Sequence, residues 1–169
     1  MLKKALMLVA VFLALPTQAA EPQAVALTWA LVHNGKVVDG HDSVPVRLNG
    51  PYSYRNMMPN PYNKGSIQTG KKDEPVRGVV LSGVELSFKP HWTNGLVVDY
   101  NIQQSHLEGF SRLAGSQSTQ VPNGRLYEAR GTSQTLAVGD TELIRLTCNL
   151  DIPVEQCPYY LTLTVVQMM

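Results

Sequence analysis

The chain has 169 residues, 44% of them hydrophobic, with a formal net charge of +1. This size and composition predict a single globular domain and exclude a disordered or low-complexity chain. A nearly neutral chain lacks the basic surface by which proteins bind nucleic acid. The sequence also contains no basic amphipathic stretch that would attach it to an anionic membrane surface.

The N-terminus predicts export. Two lysines precede an apolar run at residues 5–15, and Pro16 and small residues follow it, the pattern of a signal peptide over residues 1–19 cleaved after Ala19. The alternative is an N-terminal membrane anchor, but the run is shorter than the roughly 20 residues that a spanning helix needs. We therefore expect residues 20–169 to be one exported domain without a transmembrane helix.

The exported part opens with a predicted β-hairpin. In "VALTWALV", apolar residues with a period of two place Val25, Leu27, Trp29 and Leu31 on one face, which is the strand period. Asn34-Gly35 follows as a turn signal, and "KVVDG" returns as the second strand.

Residues 49–78 contain four prolines, several glycines and no sustained period, so we predict a long irregular loop there. Five of its side chains are candidates for a surface that contacts a partner. The alternative is that they only cover the edge of a sheet, since single apolar residues on loops are ordinary. The five are Tyr52, Tyr54, Met57, Met58 and Tyr62.

A second hairpin is predicted at residues 83–102, "GVELSFKPHWTNGLVVDYNI", because both halves alternate and an Asn-Gly signal separates them. Pro90, His91 and Trp92 lie at its bend. An exposed tryptophan there can anchor a partner, while a ring that folds back would cover the sheet edge. Both interpretations stay open, and His91 and Trp92 join the candidate contact residues.

The segment "SHLEGFSRLAG" predicts a short helix. Ser105 and Glu108 fit a capping box, Leu107 and Phe110 recur at helical spacing, and Gly115 is a stop signal. Because Gly109 weakens this pattern, we expect one or two turns at most.

The C-terminal segment predicts a hairpin closed by a disulfide. "YYLTLTVVQ" alternates strictly, and the loop between Cys148 and Cys157 would pair it with "ELIRLTC". An even pair of cysteines in an exported chain favours a disulfide, with a stabilisation of about 2 to 3 kcal/mol in the chain-entropy model. A redox-active pair is the alternative, but the spacing is not C-x-x-C.

No arrangement of residues predicts catalysis, a metal site or a cofactor. The four histidines fall on separate predicted turns or loops, without metal-ligand spacing. The stretch from Asp39 to Asp42 combines carboxylates with an imidazole, but the sequence contains no G-x-S-x-G nucleophile elbow. Glu85 and Asp99 have neighbours typical of the wet face of an antiparallel sheet. Together these patterns predict an all-β, mainly antiparallel fold: a small β-sandwich or curved sheet, with at most one short helix and a C-terminal disulfide hairpin.

The order of signals from Gly78 to Leu146 resembles the C-terminal core of the bacterial outer-membrane secretins of type II and III secretion and of type IV pili. The resemblance is carried by "SGVELSFKPHWTNGLVVDYNIQQSHL", a variable stretch, and "VPNGRLYEARGTSQTLAVGDTELIRL". It implies a secretin-like β-domain. Since the chain has no room for the periplasmic ring domains of a secretin, it implies an accessory protein of a pilus or secretion system.

We therefore expect a non-enzymatic protein in the periplasm or outer membrane of a Gram-negative bacterium, or secreted from it. Its partners would be envelope proteins of the pilus or secretion machinery, or further copies of itself. The alternative is a free periplasmic or secreted β-sandwich binding module of the pilus-subunit or helper type. A third hypothesis is a small hydrolase that uses His41, Asp42 or His91, which only residue types support.

Overall fold

The computed structural model describes residues 22–116 and 118–169, and they form two four-stranded antiparallel sheets. The predicted signal peptide lies outside the described residues. The strands are β1 (Ala24–His33), β2 (Lys36–Arg47), β3 (Tyr52–Thr69), β4 (Lys72–Trp92), β5 (Leu96–Arg112), β6 (Gln120–Thr132), β7 (Thr141–Arg145) and β8 (Tyr159–Met168), with a 3-10 turn at Val154–Gln156. Sheet A has the strand order β2-β1-β8-β7, and sheet B has the order β3-β4-β5-β6. Within the described residues, no helix is both long enough and apolar enough to span a membrane.

The two sheets pack face to face around one apolar core, so the predicted β-sandwich is confirmed. The predicted inward face of β1 is buried completely, because alternate side chains of a strand point to opposite faces. Sheet B contributes alternate residues of β4 and β5 in the same way. The largest buried side chains are Trp29, Phe88, Leu27, Leu31, Leu86, Leu96, Ile102, Leu146, Leu161 and Leu163.

Both predicted hairpins are present. Strands β1 and β2 pair antiparallel, and the turn residues Asn34 and Gly35 have φ angles of +48° and +75°. Two successive positive φ angles are what a two-residue hairpin of the favoured hand requires. Strands β4 and β5 form the second hairpin, with Trp92 opposite Leu96 at its closed end.

The C-terminal hairpin is also confirmed. Strand β7 pairs antiparallel with β8, and Cys148 and Cys157 form a disulfide with their Cα atoms 5.8 Å apart. The bond closes the loop that connects β7 to β8. Since β8 lies in the middle of sheet A, the disulfide fixes the start of a central strand.

The prediction of an irregular loop at residues 49–78 is wrong, because most of this segment is strand β3 and the beginning of β4. Its prolines indicated a loop because proline cannot donate a hydrogen bond to a sheet ladder. Strand β3 is an edge strand, where Pro59 and Pro61 are tolerated because only one side of the backbone is paired. The chain reverses at Gly70, whose φ angle is +68°.

The prediction of a short helix at residues 105–115 is also wrong, because strand β5 continues to Arg112. Leu107 lies opposite Gly124 and Phe110 opposite Pro122, with a bulge at Gly109 between them. The bulge shifts the register by one residue, and this brings two apolar residues three positions apart onto one face. Their helical spacing was therefore produced by a strand irregularity, and pairing with β6 overrides the local helical preference.

Candidate interaction surface

Strands β4 and β5 separate part-way along their length. The ladder between them ends at Gly83 and Ser105, whereas the pairings of β3 with β4 and of β5 with β6 continue toward the tips of both hairpins. We call the point of separation the fork, and the hairpins beyond it the first arm (residues 57–82) and the second arm (residues 106–126). Beyond the fork, no strand of the described part of the chain pairs with the edges of β4 and β5 that face away from their hairpin partners.

Gly83 lies at the fork. Its φ angle is +136°, a conformation that residues with a side chain rarely adopt. A Cβ atom at this position would overlap the carbonyl oxygen of Asn56 on β3. Only glycine therefore combines this backbone angle with the close approach of β3 and β4 at the point where β5 departs.

The two arms contact each other near the middle of their length. The ring of Tyr62 stacks on Phe110 with centroids 5.8 Å apart and an interplanar angle of 25°. The backbone N–H of Asn63 donates a hydrogen bond of 2.8 Å to Oε1 of Gln120. Tyr62 also covers Gly78, where a Cβ atom would collide with its ring. These contacts hold the arms together away from the core.

The face of sheet B that points away from the core changes its character at the fork. Between the turn and the fork it is polar, with Arg55, Glu85 and Gln103 among its residues, and Arg55 lies 3.6 Å from Glu85. Beyond the fork the same face is apolar as far as Val79, before Arg77 and Asn63 follow, and Val79 and Leu81 are 61% and 40% exposed. The apolar residues of this face are Met57, Pro59, Pro61, Val79, Leu81, Leu107, Phe110, Pro122 and Leu126.

A groove of about 290 Å³ lies at the fork, between the two arms. Its apolar lining comes from Val80 and Leu81 of the first arm and from Leu107, Pro122 and Leu126 of the second. Neighbouring exposed apolar side chains that line a groove are a feature of interaction sites. The arms and the groove are thus the candidate interaction surface.

The seven residues predicted as contacts fall into separate places. Tyr52 stacks on Phe88, and Tyr54 packs on Trp29 with ring centroids 4.9 Å apart, so both belong to the margin of the core. Trp92 is 38% exposed. Three of the seven lie on the first arm, and two lie at the opposite end of β4: Met57, Met58 and Tyr62, and then His91 and Trp92.

Most of the exposed apolar residues on the arms escaped the sequence analysis. The sequence assigns Val79 and Leu81 to no predicted element, because they lie between the predicted loop (49–78) and the predicted hairpin (83–102), and it assigns Phe110 to a predicted helix. The available signal was the run "VRGVVLSG" directly before the predicted second hairpin, whose β-branched residues favour a strand. Reading it as a continuation of β4 would have placed exposed apolar residues beyond Gly83.

The histidines lie on strands and not on separate turns or loops, and two of them meet. His33 stacks on Tyr159 with centroids 4.2 Å apart, and the centroids of His33 and His106 are 5.7 Å apart. A hydrogen bond of 3.1 Å joins the Tyr159 hydroxyl to Nδ1 of His106. This cluster links the end of β1 to the base of the second arm. Among the described residues, no three His, Cys, Asp or Glu side chains are grouped as metal ligands.

Asp39 joins the edge strands of the two sheets. The Tyr54 hydroxyl donates to its carboxylate at 3.1 Å, and the Asn56 side-chain amide donates at 3.0 Å. Burial, followed by the hydrogen bond to Asp39, raises the pKa of the Tyr54 hydroxyl above its ordinary value. His41 lies edge-on to Tyr54, with centroids 4.8 Å apart. The acid–imidazole stretch therefore holds β2 against β3.

The other carboxylates considered as a catalytic pair have separate partners. Glu85 lies beside Arg55, while Asp99 accepts a hydrogen bond from Thr132 and lies 3.6 Å from Nδ1 of His91. His41 is in sheet A and His91 is in sheet B. The histidines considered for hydrolysis therefore do not share one sheet.

Comparison of the chain with protein-family models, with curated proteins and with solved structures finds no match.

Proposed function

We propose that this chain is a non-enzymatic protein of the cell envelope that binds a protein partner through its two arms. Its role would be that of a secretin-like accessory or assembly component of a pilus or secretion system, in the periplasm or at the outer membrane of a Gram-negative bacterium. The observation that carries the proposal is the exposed apolar surface beyond the fork, where Val79, Leu81 and Leu126 are 61%, 40% and 49% exposed.

Two further features support the proposal. The arms contribute no residue to the buried core cluster, so core packing does not explain their apolar character. The Cys148–Cys157 disulfide suits an oxidising compartment outside the cytoplasm. Strand edges that have no partner, next to exposed apolar side chains, are the elements that proteins use when they bind by adding strands.

The test is complementation in the bacterium that encodes the protein. In one variant, Asn-Gly replaces residues 59–81, and in a second, Asn-Gly replaces residues 108–123, so that each arm becomes a short turn. We expect both variants to fold with a melting temperature within a few degrees of the wild type, because the core is unchanged. We also expect both to fail to restore surface pili or secretion in a deletion strain.

The matched control is Val37→Ser with Val138→Ser, which removes exposed apolar side chains from the body and leaves the arms intact. This control should complement fully. Normal pilus number and secretion in the deletion strain itself would contradict the proposal, and so would full complementation by both truncated variants.

The second candidate is a free periplasmic or secreted β-sandwich binding module. The unpaired edges of β4 and β5 beyond the fork favour it, because they offer backbone hydrogen-bonding groups to an added strand. In that case the protein alone should be monomeric by light scattering, and a bound partner should slow amide exchange over residues 76–82 and 106–112.

A further inference from the structure

The two arms are turned relative to each other beyond the fork. On β3, Tyr54 packs against the core, so Tyr62, an even number of residues further on, belongs to the same inner face of sheet B. On β6, Tyr127 packs against the core, so Pro122 and the residue opposite it, Phe110, lie on the outer face. Because Tyr62 stacks on Phe110, the inner face of the first arm meets the outer face of the second.

The groove at the fork lies between these two faces. Val80 has the same orientation on β4 as the buried residue Val84 and belongs to the inner face of the first arm. The floor of the groove is the outer face of the second arm, which includes Pro122. The Tyr62–Phe110 stack borders the far end of the groove, because Phe110 lies opposite Pro122.

The floor of the groove has a notch at Gly124. Gly124 lies opposite Leu107, and its neighbours on the same face of β6 are Pro122 and Leu126. Three apolar side chains therefore surround a position that has no side chain. Leu126 is 49% exposed, so the notch is open to solvent. Its shape and chemistry suit an apolar side chain that enters from another molecule.

One side of the groove is a strand edge. No strand of residues 22–116 or 118–169 pairs with residues 78–82 of β4 on the side that faces β5. The backbone groups of such an edge are the sites at which an extended segment adds as a further strand. Val80 and Leu81 belong to this stretch and also line the groove. A strand added there would lie over the notch.

The far end of the groove is basic. The two arms carry a net charge of +3, from six basic and three acidic residues. Arg125 at the groove is paired with Glu108 at 2.7 Å, whereas no ion pair involves Arg77 or Arg112 among the residues that the structure describes. Both of these arginines lie beside Gln120, which is opposite Arg112 and lines a cleft with Arg77. A carboxylate bound there would meet two cations.

We propose that the groove binds an extended segment of a partner protein, which adds as a strand to the edge of β4 at residues 78–82. Alternate side chains of the segment are apolar and enter the notch at Gly124, and an acidic residue at one end lies near Arg77 and Arg112. Backbone hydrogen bonds would supply affinity, and the notch would select the side chain. This proposal rests on the proposed function, because it names the kind of segment that the arms bind.

The test begins with selection from a phage-displayed library of random peptides, long enough to span the groove, on the protein from Ala20 onward. We expect the selected peptides to carry apolar residues at alternate positions and an aspartate or glutamate toward one end. A selected peptide is then synthesised, and its dissociation constant is measured by fluorescence anisotropy at low and at high salt. Salt should weaken the binding because it screens the attraction to the arginines.

Two variants of β6 distinguish the groove from the rest of the second arm. Leu126→Glu places a charge on the floor of the groove, while the matched control Val121→Glu places the same charge on the opposite face of the strand. Leu126 and Val121 are 49% and 39% exposed. We expect Leu126→Glu to weaken peptide binding by about tenfold or more, because apolar side chains would meet a carboxylate. Val121→Glu should bind as the wild type does. Circular dichroism and urea unfolding check that both variants are folded.

Methylation of the peptide backbone tests strand addition directly. Alternate N–H groups of a strand point to opposite sides, and only one side of an added strand meets β4. Two versions of the peptide are made, each methylated on every second backbone nitrogen, in the two possible registers. We expect one version to lose binding and the other to keep most of it. Arg77→Gln with Arg112→Gln should remove most of the salt dependence.

Several results would overturn the proposal: selected peptides without alternate apolar residues, equal binding by the wild type and Leu126→Glu, an equal loss in Val121→Glu, or binding that neither methylated version changes. Failure to select any peptide that prefers the wild type to Leu126→Glu would do the same. If Leu126→Glu restores pili or secretion while the truncated arms do not, the proposed function stands and the strand-binding groove falls. If the peptides bind as expected while the truncated arms complement fully, the groove stands and the proposed function falls.

Discussion

Gly83 at the fork is the most closely constrained glycine of the arms and their base. Because its φ angle is +136° and the Asn56 carbonyl oxygen occupies the space of a side chain, the position accepts only glycine without strain. Gly109 on the second arm has a similar angle, +147°, but nothing lies within 4 Å of the place of its Cβ atom. The two glycines therefore separate the cost of the backbone angle from the cost of the close approach.

We expect Gly109→Ala to lower the free energy of unfolding by about 1 to 2 kcal/mol, the usual cost of a strained backbone angle. Gly83→Ala should lower it by about 1 kcal/mol more, because the methyl group must also displace β3 or β4. Urea unfolding of both variants measures the difference. Equal losses at the two positions would mean that the close approach at the fork has no energetic consequence.

Glu142 is a second residue whose position has a measurable effect. Its side chain shares the inward face of β7 with Ile144, and its Oε2 atom is buried without a hydrogen-bond partner. Burial raises the pKa of this carboxyl, and the backbone N–H of Gln134 opposes the rise only in part. The raised pKa means that the folded state favours the protonated form.

Ionisation of Glu142 should therefore cost stability. The protonated Glu142 carboxyl contributes its full stability below the pKa of an unfolded glutamate. This contribution is lost as the pH rises through the pKa of Glu142 in the folded state. At pH 8, Glu142→Gln should raise the free energy of unfolding by about 0.5 kcal/mol, a small value because solvent screens the rest of the group. Urea unfolding at pH 4 and pH 8 measures it, with the exposed Glu155→Gln as control. A variant that is less stable than the wild type at pH 8 would contradict this account.

At the scale of elements, the disulfide and the strand β8 depend on each other. Cys148 follows β7 and Cys157 precedes β8, and β8 pairs with both β1 and β7. A crosslink of nine residues' separation removes entropy mainly from the unfolded chain, while it places β8 correctly in the folded chain.

Replacing both cysteines, Cys148→Ala with Cys157→Ala, should lower the free energy of unfolding by about 2 to 3 kcal/mol. The arms are remote from this bond in sequence, so the loss should come from the body. Unfolding of the wild type with and without a reducing agent provides the control, because reduction should reproduce the loss. A double variant as stable as the oxidised wild type would show that the disulfide does not contribute to the stability of the fold.

The elements also show why the sequence misled at two places. Prolines at 59 and 61 predict a loop when a strand is assumed to be paired on both sides, yet β3 is an edge strand. The spacing of Leu107 and Phe110 predicts a helix when no bulge is assumed, yet Gly109 shifts the register between them. Edge position and bulges depend on which strands become neighbours, and the sequence around them does not state that.

At the scale of the whole molecule, the body and the arms have different roles. The body holds the closed core between the two sheets, while the arms hold most of the exposed apolar residues of sheet B and a net charge of +3. The exposed apolar surface therefore lies outside the closed core, on the part of the molecule where the partner of the proposed function would bind.

The sequence by itself determined strand β1 with its inward residues, the hairpin of β4 and β5, both hairpin turns, and the C-terminal hairpin with its disulfide. Each of these depends on residues close together in the chain, whose period of two or turn chemistry is visible locally. It did not determine the arms. Strand β3, the continuation of β5 and the fork all follow from the partners that each strand finds, and the candidate interaction surface lies where one of those partners is missing. Only the tertiary structure decided that, because an exposed apolar residue and a buried one look the same in a sequence until the neighbouring strands are known.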